Sequence, residues 1–109
     1  MQALNIGATI RLDFTPVTRW DEYHDAFVAA FGLPAFYGRN GHALLDCLSS
    51  LRDPDAGMSR VVVAPGEVVL VQVDGLAAML RESFIMTLEL LSERCAAREQ
   101  SSPIVLMII

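Results

Sequence analysis

Cysteine, positive charge and long apolar runs are all scarce in this sequence of 109 residues. The two cysteines, Cys47 and Cys95, lie in helical patterns among apolar neighbours, so we expect free buried thiols, as suits a reducing cytosol. The formal net charge of −5 argues against nucleic acid as a partner and favours a basic protein. No apolar run approaches the ~20 residues of a membrane-spanning helix. Residues 1–4 lack the charged start of a signal peptide, so we expect a cytoplasmic protein with no membrane association.

Apolar residues, in contrast, are abundant at 53% of the chain. A chain of this length can bury roughly two-thirds of its unfolded surface, so we expect one domain over residues 1–109. Such a core needs neither a disulfide nor a structural metal for its stability.

Strand and helix patterns alternate along the chain. The predicted elements are a strand at 4–12 interrupted by Gly7, a helix from the capping pair Thr18 and Asp21 to Gly32, a helix at 40–51, a short extended piece at 61–63, a strand at 68–73, a helical region at 76–98 with a possible second start at Ser83, and a strand at 104–109. The unbroken β-branched run at 68–73 is typical of strands that helices cover on both faces. The fold class is therefore α/β, a small three-stranded parallel sheet packed with helices.

The most informative segment is residues 33–51, whose predicted helix has two unlike sides. One side is a buried stripe at helical spacing, formed by Leu44, Cys47, Leu48 and Leu51. The other side holds His42, Leu45, Asp46 and Ser49. A large apolar side chain beside a carboxylate, with Phe36 and Tyr37 just ahead, indicates a recognition surface.

The same residues carry a family resemblance. The runs Leu33-Pro34-Ala35-Phe36-Tyr37-Gly38-Arg39-Asn40 and Leu44-Leu45-Asp46-Cys47-Leu48 resemble the signature of the barstar family, small intracellular inhibitors of bacterial ribonucleases. Residues 53–58 and 65–67 are similar to a larger bacterial branch of that family. The resemblance implies a barstar-like fold and a stoichiometric inhibitor of a small basic bacterial ribonuclease. It implies no catalytic residues, no metal and no cofactor.

The resemblance also implies roles for individual residues of the helix at 40–51. Asp46 falls on the family's central acidic residue, which enters the ribonuclease active site in place of a substrate phosphate. A carboxylate suits this role because it accepts charge-assisted hydrogen bonds from phosphate-binding side chains. Leu45 stands where relatives often carry tryptophan and would form a rim contact around Asp46.

Four further residues complete the implied surface. Phe36 matches a tyrosine that stacks at the enzyme's active-site mouth, although it lacks the hydroxyl. Gly38 matches a glycine whose backbone sits against the enzyme, which requires a positive φ or a close approach. Asn40 is a candidate contact whose alternative role is to cap the helix. Glu93 follows from the local context of residues 91–94, which resembles that of an interface glutamate.

His42 is the main departure from the family pattern, which has an acidic residue one turn before the central aspartate. A histidine is ordinarily neutral near pH 7 and cationic below about 6.5, so a protonated His42 would repel a basic cleft. Three alternatives stay open: a different partner, weaker inhibition, or pairing of His42 with Asp46. His42 and Leu45 together favour a second hypothesis, a barstar-like binding module whose partner is not a ribonuclease.

Catalysis is the weakest alternative. His42 and Asp46 share a helix side, but two ligands do not make a structural zinc site, and no phosphate loop, nucleophile elbow or HExxH motif is present. The other histidine, His24, is interpreted as a packing residue at the edge of the first helix's apolar stripe.

Residues 84–91 are apolar nearly all round. This pattern predicts burial on two sides or a dimer contact, and hence a monomer or a weak homodimer.

Overall fold

The computed structural model describes residues 5–109 of the chain. Its elements are β1 (Asn5–Asp13), α1 (Trp20–Phe31), α2 (Gly41–Leu48), a 3₁₀ turn (Pro54–Ala56), β2 (Glu67–Asp74), α3 (Ala78–Ala97) and β3 (Ile104–Ile108). Residues 1–4 lie outside the described residues. They include Leu4, which was predicted to begin the first strand, and the residues on which the expectation of no signal peptide rests. Within them, no helix is long and apolar enough to cross a membrane.

The described strands form a parallel sheet in the order β1-β2-β3, which confirms the predicted α/β fold. Val71 in the central strand lies between Ile10 of β1 and Leu106 of β3. The predicted interruption at Gly7 is a register shift in the β1–β2 ladder. A Cβ atom at Gly7 would lie 2.5 Å from Oε1 of Glu67 and 2.9 Å from Cγ1 of Val63, so a side chain there would have to displace these two side chains.

The helices cover only one face of the sheet, which corrects the expectation that the central strand is covered on both. Val69, Val71 and Val73 are buried in the core; of the residues that alternate with them, Val68 is buried outside the core cluster, and Leu70 and Gln72 are only partly buried. An unbroken apolar run hides this asymmetry, because strand side chains alternate between faces whatever their type.

An aromatic cluster joins the end of β1 to α1 and α3. The ring of Phe14 stacks on Tyr23 at a centroid distance of 5.5 Å and meets Phe84 edge-on at 5.6 Å. Each such pair contributes about 0.5–1.5 kcal/mol beyond the burial of its area. The cluster therefore joins α1 and α3 through the ring of Phe14.

Three local predictions need correction. α1 begins at Trp20, and Thr18 donates hydrogen bonds to Oε1 of Glu22 instead of pairing with Asp21. α3 is continuous through Ser83, whose backbone carbonyl accepts a hydrogen bond from Oγ1 of Thr87 one turn later. Residues 61–63 form no strand. The end of α1 is as predicted, since Gly32 takes the left-handed conformation with φ 63°.

Candidate functional site

α2 is fixed by one cap and one buried stripe. Oδ1 of Asn40 accepts a hydrogen bond from the backbone N–H of Ala43 at 2.9 Å, which confirms the capping role predicted for this residue. Leu44, Cys47 and Leu48 are each at most 1% exposed, as the helical spacing predicts. A helix of eight residues is marginal by itself, so this burial and the cap together hold it in place.

The loop before α2 is held by a buried tyrosine. Of the two adjacent aromatic residues, Tyr37 is buried and Phe36 is 71% exposed, so the ring of Phe36 is free to meet a partner. The Tyr37 hydroxyl and Nδ1 of His24 are hydrogen-bonded at 2.6 Å, which confirms His24 as a packing residue. Burial raises the pKa of Tyr37 to about 12, and burial followed by the charge of Arg39 lowers the pKa of His24. Both groups are therefore neutral near pH 7.

Arg39 ties the same loop to α1. Its guanidinium donates to the backbone carbonyl of Asp21 at 2.6 Å and to the carboxylate of Asp25. The positive φ expected at Gly38 is found instead at Arg39, with φ 54°. A Cβ atom at Gly38 would lie 3.3 Å from that of Ala43, a close contact within the chain, and the approach of this backbone to a partner stays a prediction. These contacts preorganise the loop and so reduce the entropy lost on binding.

Asp46 projects from α2 with 57% of its side chain exposed. Nη1 of Arg94 on α3 donates to its Oδ1 at 2.7 Å and also to Oγ of Ser49 at 3.2 Å. Among the described residues, no ion pair joins His42 to Asp46, so the i, i+4 pairing considered from the sequence is not formed. The intramolecular partner of Asp46 is thus an arginine from another helix.

The sequence interpretation missed Arg94. Its only signal is its position next to Glu93, the residue chosen for the surface. Glu93 and His42 are both exposed, and the contact between Arg94 and Asp46 brings this part of α3 beside α2. The structure thus joins Asp46 with the neighbourhood of Glu93, and it records no polar contact of His42 or Phe36 with Asp46.

The predicted position of Leu45 was wrong. It was expected on the exposed side as a rim contact, but it is only 7% exposed and belongs to the hydrophobic core cluster. α2 packs against α3 as well as against the main core, so it buries a wider sector than the stripe that includes Leu44. The exposed side of α2 is therefore polar, formed by His42 and Asp46 with Ser49 at its border.

The chemistry available at this surface is that of docking. The Cys47 thiol is buried in the stripe, and burial raises its pKa, so it does not offer a thiolate. In the part of the chain that the structure describes, no group of three histidine, cysteine, aspartate or glutamate side chains could hold a metal ion. What the surface does present is a carboxylate oxygen on a fixed helix, an exposed aromatic ring and an exposed imidazole.

Comparison with known proteins identifies a family. Residues 7–108 match the family model described as Barstar (barnase inhibitor). No curated protein matches the chain with significant similarity.

Proposed function

The chain belongs to the barstar family, and on this premise we propose that it is a stoichiometric inhibitor of a small basic bacterial ribonuclease. In this proposal α2 enters the active site of the enzyme, and Asp46 occupies the place of a substrate phosphate. Phe36, Gly38, Asn40, His42 and Glu93 surround it. Leu45 supports the helix from below, so its part in binding is indirect.

The exposed carboxylate of Asp46 on a capped helix is the observation that carries the proposal. Arg94 donates to Oδ1, and no side chain within residues 5–109 donates to Oδ2, which could accept a charge-assisted hydrogen bond from an arginine or histidine of the enzyme. The helix is held by the Asn40 cap and by its buried stripe, so little conformational entropy is lost when the carboxylate is bound.

The charge of the chain supports the same partner. The net charge of −5 attracts a basic protein over distances of about a Debye length, ~8 Å at physiological salt. Glu93, which is exposed and precedes Arg94 on α3, would add a negative charge to the proposed surface. We place the encounter in the bacterial cytoplasm, where Cys47 and Cys95, both free and buried, stay reduced.

A second candidate is a barstar-like module that binds a protein other than a ribonuclease. It is favoured by the pairing of Asp46 with Arg94, which offsets part of the charge that a basic cleft would recognise. His42 adds no negative charge, and buried Leu45 offers no large anchor at the surface. A partner with a less basic or a partly acidic patch would suit this surface.

The two candidates separate in a capture experiment with matched baits. Immobilised wild type, Asp46→Ala and Asp55→Ala are exposed to native cytosol; Asp55 is an exposed acidic residue outside the site and controls for the loss of one charge. An RNA-cleaving partner that is held by wild type and Asp55→Ala but not by Asp46→Ala, and that is silenced at one equivalent of the chain, supports inhibition. A partner with the same bait preference but no RNA-cleaving activity supports the second candidate.

A further inference from the structure

Strand β3 presents an edge that no described strand covers. The sheet order places β3 beside β2 only, so within residues 5–109 its other side has no strand partner. Pro103 O and Ile109 N bond to β2, and the direction of backbone groups alternates along a strand. The N–H and C=O groups of Ile104, Leu106 and Ile108 therefore point away from the sheet.

Only the first of these three residues is satisfied locally. The hydroxyl of Ser102 lies 3.3 Å from the N–H of Ile104, from which it accepts, and 3.4 Å from the carbonyl of Ile104. Within residues 5–109, no side chain forms a hydrogen bond with the outward N–H and C=O groups of Leu106 and Ile108. An exposed row of unpaired backbone groups is a template for another strand.

The side chains along this edge are apolar and exposed. Met107 and Ile108 are 46% and 65% exposed, and residues 103–109 contain no charged side chain. Ile108 also lines a surface cavity of about 650 Å³ together with Leu76 and Ile85, and the charged Asp74 and Arg81 line the same cavity. β1, at the opposite edge, carries the charged Arg11 and Asp13, which is the usual protection against strand addition. β3 has no comparable protection.

We propose that β3 is a homodimer interface, in which the β3 edges of two copies pair antiparallel about a twofold axis at Met107. In this register Leu106 of one copy faces Ile108 of the other, and each such pair exchanges both N–H···O bonds. In this register the backbone groups of Leu106 and Ile108 form the bonds between copies, and those of Ile104 keep their hydrogen bonds to the Ser102 hydroxyl. A second copy fits this edge because it supplies the same strand without charged side chains, whereas a basic partner would find no acidic side chain between residues 103 and 109.

The side chains follow the same geometry. Leu106 belongs to the helix-covered side of the sheet, where it packs against the core. Ile108, two residues on, points to that same side, so pairing would place it against Leu106 of the other copy and extend both cores. Met107 lies on the uncovered face and would meet its own counterpart directly across the axis.

The position of Met107 on the axis allows a charge-exchange test. We expect wild type to be a dimer by analytical ultracentrifugation, with a mass that depends on concentration. Met107→Lys and Met107→Glu each place like charges opposite one another and should weaken self-association by roughly tenfold or more. An equimolar mixture of the two variants should restore a dimer, which native mass spectrometry identifies as the mixed species by its mass.

Thr9→Lys and Thr9→Glu are the matched controls, because Thr9 is exposed on the same open face but on the opposite edge strand. These variants should dimerise as wild type does. Circular dichroism of all four variants verifies that they fold. A monomeric wild type would overturn the proposal and leave the edge to a foreign strand, as would Met107 variants that still dimerise. Two monomeric Met107 variants that fail to associate on mixing would overturn the register centred on this residue.

Discussion

Arg94 of α3 donates a hydrogen bond to Asp46 of α2, with 2.7 Å between Nη1 and Oδ1. The arginine side chain is 29% exposed and the aspartate side chain 57%, so this is a surface ion pair, which typically contributes about 0–1 kcal/mol to folding. A cationic partner must compete with Arg94 for the carboxylate or bind the oxygen that Arg94 leaves free. The pair therefore affects affinity more than stability.

Asp46→Ala should weaken binding more than any other single truncation on the exposed side of α2. Loss of one member of a buried interfacial charge pair costs about 2–5 kcal/mol or more, a range that comes partly from the barnase–barstar complex, which belongs to this chain's own family. Folding should change by less than about 1 kcal/mol, because only a surface pair is lost. Calorimetry with the identified partner measures the first effect and urea unfolding the second. Equal affinities of wild type and variant would contradict the role given to Asp46.

Arg94→Gln should tighten the binding of a basic partner by a few-fold, since the competing intramolecular pair is worth about 0.2–1 kcal/mol. Arg98→Gln, on an exposed arginine one turn further along, makes the same change in net charge without touching Asp46. Surface plasmon resonance of both variants separates the local effect from the general one. If Arg94→Gln binds more weakly than Arg98→Gln, then Arg94 itself positions Asp46 or contacts an acidic group of the partner.

Leu44→Ala and Leu45→Ala should both destabilise the fold by roughly 2–5 kcal/mol, because both side chains are buried and truncation leaves a cavity. Met86→Ala, on the exposed side of α3, is the control and should stay within about 0.5 kcal/mol. Urea unfolding measures all three variants. A near-neutral Leu45→Ala would show that α3 does not cover this side of α2 in solution.

Much of the fold can be predicted from the sequence because its signals are local. The apolar strands at 68–73 and 104–109 predict the parallel sheet, and Gly32 predicts the end of α1. The uncovered face of the sheet could not be predicted, since apolar residues occupy both sides of the central strand. Which side of the strand is buried becomes clear only when the positions of the helices are known.

The candidate site divides in the same way. The Asn40 cap and the stripe of Leu44 and Cys47 depend on spacing within one helix, and both are confirmed. The burial of Leu45 and the pairing of Arg94 with Asp46 depend on how α3 packs against α2. Arg94 follows Asp46 by 48 residues in the sequence. No periodicity within α2 carries that information.

His24→Gln should remove part of the acid sensitivity of the fold. Burial lowers the pKa of His24 in the folded chain, so the unfolded chain binds the proton more readily. Stability should therefore fall as pH drops below about 6.5, the ordinary value for the unfolded chain, towards the lower folded value. Glutamine can keep a hydrogen bond to Tyr37 and does not titrate. Urea midpoints from about pH 7 to pH 5 measure the slope, and identical slopes for wild type and variant would contradict this prediction.

His42→Asp should tighten the binding of a basic ribonuclease. The exposed side of α2 then carries two carboxylates, because the substitution replaces an exposed imidazole with a negative charge. The association rate should rise most at low salt, because steering by exposed charges is screened over a Debye length of ~10 Å at 0.1 M.

Surface plasmon resonance of wild type and His42→Asp against the same ribonuclease, at low and at high salt, makes the comparison. His42→Asn is the matched control, since it removes the imidazole without adding a charge and should gain little in association rate. Weaker binding by His42→Asp at both salt concentrations would mean that the partner presents an acidic or apolar patch at this position. The second candidate function, a partner other than a basic ribonuclease, would then be the better account of the α2 surface.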